Sequence, residues 1–74
     1  MSNKNIEELA DGTVLNINVP GYFGEVSVHE MKEGETLSDV AVNNQTTVNT
    51  LKKMNGIENP DEVPAGKKIF VPYW

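Results

Sequence analysis

"MKEGETLSDVAVNN", residues 31–44, holds a turn signal, a cap signal and one short helical period in a single stretch. Glu33-Gly34 marks the turn, because glycine reaches backbone conformations closed to other residues. Thr36 reads as an N-cap: its hydroxyl can accept from the backbone N–H of Asp39, and Asp39 adds negative charge where a helix start favours it. Leu37, Val40 and Ala41 then fall on one helical face, and the polar run Asn43-Asn44-Gln45 stops the helix after about two turns.

Downstream, a second helix starts at Thr46 or Thr47, with Val48, Leu51 and Met54 on its apolar face. Lys52 and Lys53 lie near its C-terminal end, where positive charge suits the helix dipole, and Gly56 is its natural stop. Residues 58–66 are turn-rich, since Pro60 and Pro64 each fix a dihedral and remove a donor. A last strand runs over residues 67–71 and ends at Pro72. Upstream, residues 25–31 have an extended pattern. Residues 13–19 alternate, with Thr13, Leu15, Ile17 and Val19 on one face. "PGYFG", residues 20–24, joins the two segments as a turn, so they predict a hairpin. Residues 1–12 are polar and read as an arm or a single helical turn closed by Asp11-Gly12. The predicted fold class is α+β: a two-stranded antiparallel sheet packed on two short helices, extended by an N-terminal strand or hairpin. The expected division is an N-terminal arm with extra strand, 1–28, and a compact unit, 29–74.

Seventy-four residues leave room for one small domain with a thin core. Without cysteine, neither disulfides nor thiolate metal sites can staple it. The first residues have no basic start followed by an apolar stretch, and no run approaches membrane-spanning length. The expectation is therefore a chain made in the cytoplasm without a signal peptide. A formal net charge of −5 repels phosphate backbones and anionic membrane faces, so nucleic acid and membrane insertion are not expected. That charge does not oppose a neutral glycan or a shape-matched protein.

The search for chemistry yields no catalytic constellation. His29, the sole histidine, stands in a strand beside Glu30, and strand neighbours point to opposite faces. Glu33 with Glu35, and Asp61 with Glu62, lie in predicted loops with little volume to bury a carboxyl and raise its pKa. "GYFG" lacks the lysine and the following helix of a phosphate loop. The expected catalytic residues, metal ligands and cofactors are none, and the chain is expected not to be an enzyme.

Taken together, "EGETLSDVA", "VNTLKKMNGIENPDEVPAGKKIFVP" and the strand-helix-helix-strand order resemble a lysin motif (LysM) domain over residues 29–72. Gly34, Glu35, Thr36, Leu37, Ala41, Leu51, Asn55, Pro60, Val63, Gly66, Ile69, Val71 and Pro72 match its pattern in order and spacing. Each also has a structural reason. Gly34 permits the turn, Thr36 caps, Leu37, Ala41 and Leu51 fill the core, and Asn55 can hydrogen-bond loop backbone. The departures are His29 and Met31, where the family usually has an aromatic and a valine, and Glu33, where proline is frequent.

The resemblance implies binding of N-acetylglucosamine polymers, peptidoglycan or chitin, in a shallow groove between the strand-helix turn and the loop before the last strand. Carried over by position, that groove is lined by Gly34, Glu35, Thr36, Leu37, Ile57, Asn59, Pro60, Glu62 and Val63. If His29 and Met31 face the helices, Val26, Val28 and Phe70 share the opposite face of the sheet, which residues 13–28 must then cover or extend. Two functions fit. The first expectation is a structural docking subunit of a larger assembly, most simply a phage tail or baseplate, incorporated into a virion or tail-like particle. Its protein-interface candidates are Leu15, Ile17, Val19, Tyr22, Phe23, Val26, Val28, Phe70, Tyr73 and Trp74. The alternative is a peptidoglycan- or chitin-binding module of a cell-wall-associated protein.

Overall fold

A computed structural model describes residues 6–17, 19–22 and 24–74; Phe23, one of the interface candidates, lies outside the described residues. After a 3₁₀ turn at Ile6–Glu8, the element order is β1 (Val14–Leu15), β2 (Val26–Glu30), α1 (Leu37–Asn43), α2 (Val48–Asn55), a second 3₁₀ turn at Pro60–Glu62, and β3 (Lys68–Pro72). The strands form one antiparallel sheet in the order β1-β2-β3, with Val14 opposite Ser27 and Val28 opposite Phe70. The expected N-terminal strand thus extends the two-stranded sheet at its edge, and β2 becomes central.

The helices begin and end as their local chemistry dictates. Thr36 Oγ1 accepts from the N–H of Asp39, and an Asp39 carboxylate oxygen accepts from the N–H of Thr36, which closes a capping box. Thr47 rather than Thr46 caps α2, accepting from Thr50 N–H. Gly56 ends α2 with φ at 64°, a left-handed conformation that glycine adopts without a Cβ penalty.

Leu37, Val40 and Ala41 of α1, Leu51 and Met54 of α2, Met31, and Ile69 and Val71 of β3 form the buried cluster between sheet and helices. Asn55 seals the free edge of β3. Its side-chain amide donates to Phe70 O at 2.9 Å, and its Oδ1 accepts from Phe70 N–H at 2.6 Å, so the side chain stands in for a neighbouring strand. The loop-backbone role expected of Asn55 is thus a strand-backbone role.

The register bears out the expected shared face of Val26, Val28 and Phe70: Val28 stands opposite Phe70, and Val26, two residues away on the same side, stands opposite Pro72. Val28 is 2% exposed and Val26 fully buried, and Val26 also joins the buried cluster. Leu15, its cross-strand partner, and Val19 and Tyr22 pack against the same cluster, so the core wraps this end of the sheet. The alternating strand expected over residues 13–19 is shorter than its pattern. It ends at Leu15, Ile17 is 40% exposed, and Val19 makes only an isolated bridge to Tyr22 across the Pro20-Gly21 turn. Gly12 N–H donates to Val28 O at 2.7 Å and Val28 N–H to Thr13 O at 2.8 Å, so this segment extends the sheet.

Cover over the other face comes from nearer the N-terminus. Lys68 is two residues from Phe70, hence on the same side of β3. Its ammonium donates to Glu7 O at 3.1 Å and Leu9 O at 2.7 Å, which binds the first 3₁₀ turn to β3. Ile6 and Phe70 share the lining of a small depression beside that lysine.

Candidate functional site

The strand-helix turn is built from Lys32 to Thr36. Glu35 N–H donates to Lys32 O at 3.0 Å, and Gly34 takes φ of 82° inside the turn, a value that an L side chain rarely adopts. The Glu35 carboxylate then closes the turn a second time, Oε1 accepting from Lys32 N–H at 3.0 Å. The same oxygen meets His29 Nε2 at 2.8 Å. One carboxylate oxygen therefore ties together β2, through His29, and the turn that leaves it.

Partial burial pushes the Glu35 carboxyl up, yet the result is a lowered pKa. The His29 hydrogen bond, the Lys32 N–H and the attraction of the His29 and Lys32 side chains together outweigh desolvation and favour the charged form. The pairing of His29 with Glu35 was not among the expected contacts, which considered His29 only beside Glu30. Its one available signal was positional: alternation puts His29 with Met31 on the helix-facing side, where residue 35 returns after the turn.

The second arm, between α2 and β3, is ordered by Asn59. Its Oδ1 accepts from Asp61 N–H at 3.0 Å, its carbonyl accepts from Glu62 N–H, and Pro60 occupies the first turn of the 3₁₀ helix. Ile57 and Val63 pack against the core from this arm. Met31 joins the two arms at their base, donating its N–H to Lys67 O and accepting from Gly66 N–H, both at 2.8 Å.

The nine positions expected to line one groove divide between two depressions. Gly34 and Glu35 border one of about 470 Å³ that continues along α1 to Asp39, Val42 and Asn43. Ile57, Asn59, Glu62 and Val63 border another of about 280 Å³, beside Asn55 and Lys67. Thr36, Leu37 and Pro60 line neither. The Leu37 side chain is in the core, 1% exposed, so it cannot present a surface to a ligand.

The protein-interface candidates divide as well. Val26 and Val28 are consumed by folding of the chain itself, which removes them as contact surface. Leu15, Val19, Tyr22 and Phe70 are partly buried against the core. Tyr73 and Trp74 are 49% and 69% exposed. Trp74 is nevertheless held: its ring meets Tyr22 edge-on at a centroid distance of 6.1 Å, and its Nε1–H donates to Asn44 O at the end of α1.

Comparison with known proteins agrees with this geometry. Over 54 residues, 72% of the chain, it is 44% identical to an endolysin of Bacillus phage PZA, of which the match covers 20%. Over 47 residues, 64% of the chain, it is 36% identical to a cortical fragment-lytic enzyme of Bacillus subtilis (strain 168), covering 11% of that protein. The likeness is thus to one segment of each much longer relative. The LysM domain model matches residues 29–72, from His29 in the central strand to Pro72 at the end of β3. With its strand, its two capped helices and its closing strand all inside that match, the chain belongs to the LysM domain family.

Proposed function

We propose that this chain is a non-catalytic module that binds the N-acetylglucosamine-containing glycan of peptidoglycan. The observation that carries the reading is the match of the whole β2-α1-α2-β3 unit to the LysM domain, with open depressions at its strand-helix turn and at the loop between α2 and β3. Two relatives bear the names endolysin and cortical fragment-lytic enzyme, and the chain is similar to a short part of each, as a binding module shared with lytic enzymes would be. A net charge of −5 leaves a neutral sugar chain unopposed. The test is sedimentation with purified peptidoglycan sacculi. Pelleting that chito-oligosaccharide competes away is expected, and a chain that stays in the supernatant at every sacculus concentration refutes the reading.

The exposure of Tyr73 and Trp74 favours a second reading, that of a docking subunit in a phage tail or baseplate, carried in the particle. Aromatic side chains left about half exposed or more suit a protein contact. Particle assembly that is unchanged after deletion of Tyr73-Trp74 would remove this reading.

A further inference from the structure

We infer that His29 is a positioning residue of the glycan-binding turn: acting through Glu35, it latches residues 32–36 to the sheet. The inference rests on the glycan reading above. Its basis is the shared oxygen, Glu35 Oε1, which lies 2.8 Å from His29 Nε2 and 3.0 Å from Lys32 N. His29 is fixed in the central strand opposite Ile69, whose side chain is fully buried, so its ring has a rigid base. The turn itself includes Gly34, with a positive φ and open space around it, and has no apolar side chain between Lys32 and Thr36 to hold it down. The other charged groups at this depression are Lys32, Glu33 and Asp39. Asp39 is engaged by Thr36 N–H in the capping box, and Lys32 reaches Glu35 through its backbone within the same turn. Among the described residues, His29 is therefore the side chain that joins the Glu35 carboxylate to the sheet.

A turn fixed before the ligand arrives loses less conformational freedom on binding, so removing the latch weakens affinity without removing a ligand contact. The tests use the full chain and sacculus pelleting. His29→Phe keeps a ring but no donor, whereas His29→Gln keeps an N–H at similar reach. His29→Phe is expected to raise the apparent Kd about five- to tenfold, the size of one ordinary hydrogen bond. His29→Gln should stay within about twofold of wild type, because only the donor matters in this account. In a Glu35→Ala background, His29→Phe should add nothing further, since its route to the site is already cut.

An unchanged Kd in His29→Phe, equal losses in the Phe and Gln variants, or an undiminished loss in the Glu35→Ala background would overturn the inference. Amide exchange at Lys32, measured without glycan, separates the latch from the glycan reading. If the wild-type chain does not pellet, that reading and the binding role of His29 fall together. If the wild-type chain pellets but exchange at Lys32 is the same in wild type and His29→Phe, the latch alone is overturned.

Discussion

Replacing Asn55 with alanine should destabilise the chain by about 3 kcal/mol, more than its half-buried position suggests. The side chain makes three hydrogen bonds: to Leu51 O at 2.9 Å, to Phe70 O at 2.9 Å and from Phe70 N at 2.6 Å. A hydrogen bond contributes about 1 kcal/mol net, and an abandoned buried donor or acceptor costs about 1–3 kcal/mol. Leu51 O lies within α2, where the backbone ladder also serves it, so its loss counts least. The two Phe70 groups lose the partner that closes the sheet edge, which sets the total at roughly 2–4 kcal/mol. A chain of this length has about 4–11 kcal/mol of stability in all, at roughly 0.05–0.15 kcal/mol per residue. Thermal melts followed by circular dichroism at neutral pH should show a Tm lower by about 10–25 °C, at roughly 4–8 °C per kcal/mol for a domain this small. Exchange at the Phe70 amide should accelerate in step. Asn55→Asp supplies an internal check. It keeps the acceptor for Phe70 N–H but sets a carboxylate against two carbonyl oxygens, so it should be no better than alanine at neutral pH and should recover on acidification, when the protonated oxygen can donate. A Tm drop below about 4 °C for Asn55→Ala would refute the claim that this side chain acts as the missing strand.

Glu35 gives a pH dependence with a definite sign. Its folded pKa is lowered from 4.5, so its contribution to stability is fully present above that value and is lost as pH falls through the lower, folded one. The Tm difference between wild type and Glu35→Gln should shrink as pH falls below about 4.5; a difference that grows there would contradict the lowered pKa. Thr36→Ala, which removes one half of the capping box, should destabilise by about 1 kcal/mol in denaturant melts, and a variant as stable as wild type would mean that the box contributes nothing. Lys68→Met keeps most of the stem but releases Glu7 O and Leu9 O, and should speed proteolysis near residue 9 while costing about 1–2 kcal/mol. Unchanged cleavage there would show that the N-terminal turn is held by something other than this lysine.

The helical half was legible because its signals are local. Thr36 with Asp39, the stripe of Leu37, Val40 and Ala41, and Gly56 each act within one or two helical turns, and the structure places α1 and α2 where they point. The N-terminal half was less legible. Alternation over residues 13–19 reads as one strand, yet pairing ends at Leu15, because a strand persists only where a neighbour accepts its backbone. Of the candidate groove, the sequence supplied the turn with Gly34 and Glu35 and the Asn59-Pro60 corner. It could not show that these border separate depressions, which depends on how two loops, far apart in the chain, fold over the base set by Met31.

What the sequence by itself determined is the order of elements, the helix caps and membership in the LysM family, since these rest on neighbouring residues and fixed spacing. The tertiary structure alone decided that Asn55 completes β3, that Lys68 holds the N-terminal turn, and that the carboxylate of Glu35 binds His29. These contacts join residues that no periodicity relates. They form only when sheet register and loop closure bring a donor and an acceptor within about 3 Å, the range in which a hydrogen bond has its strength.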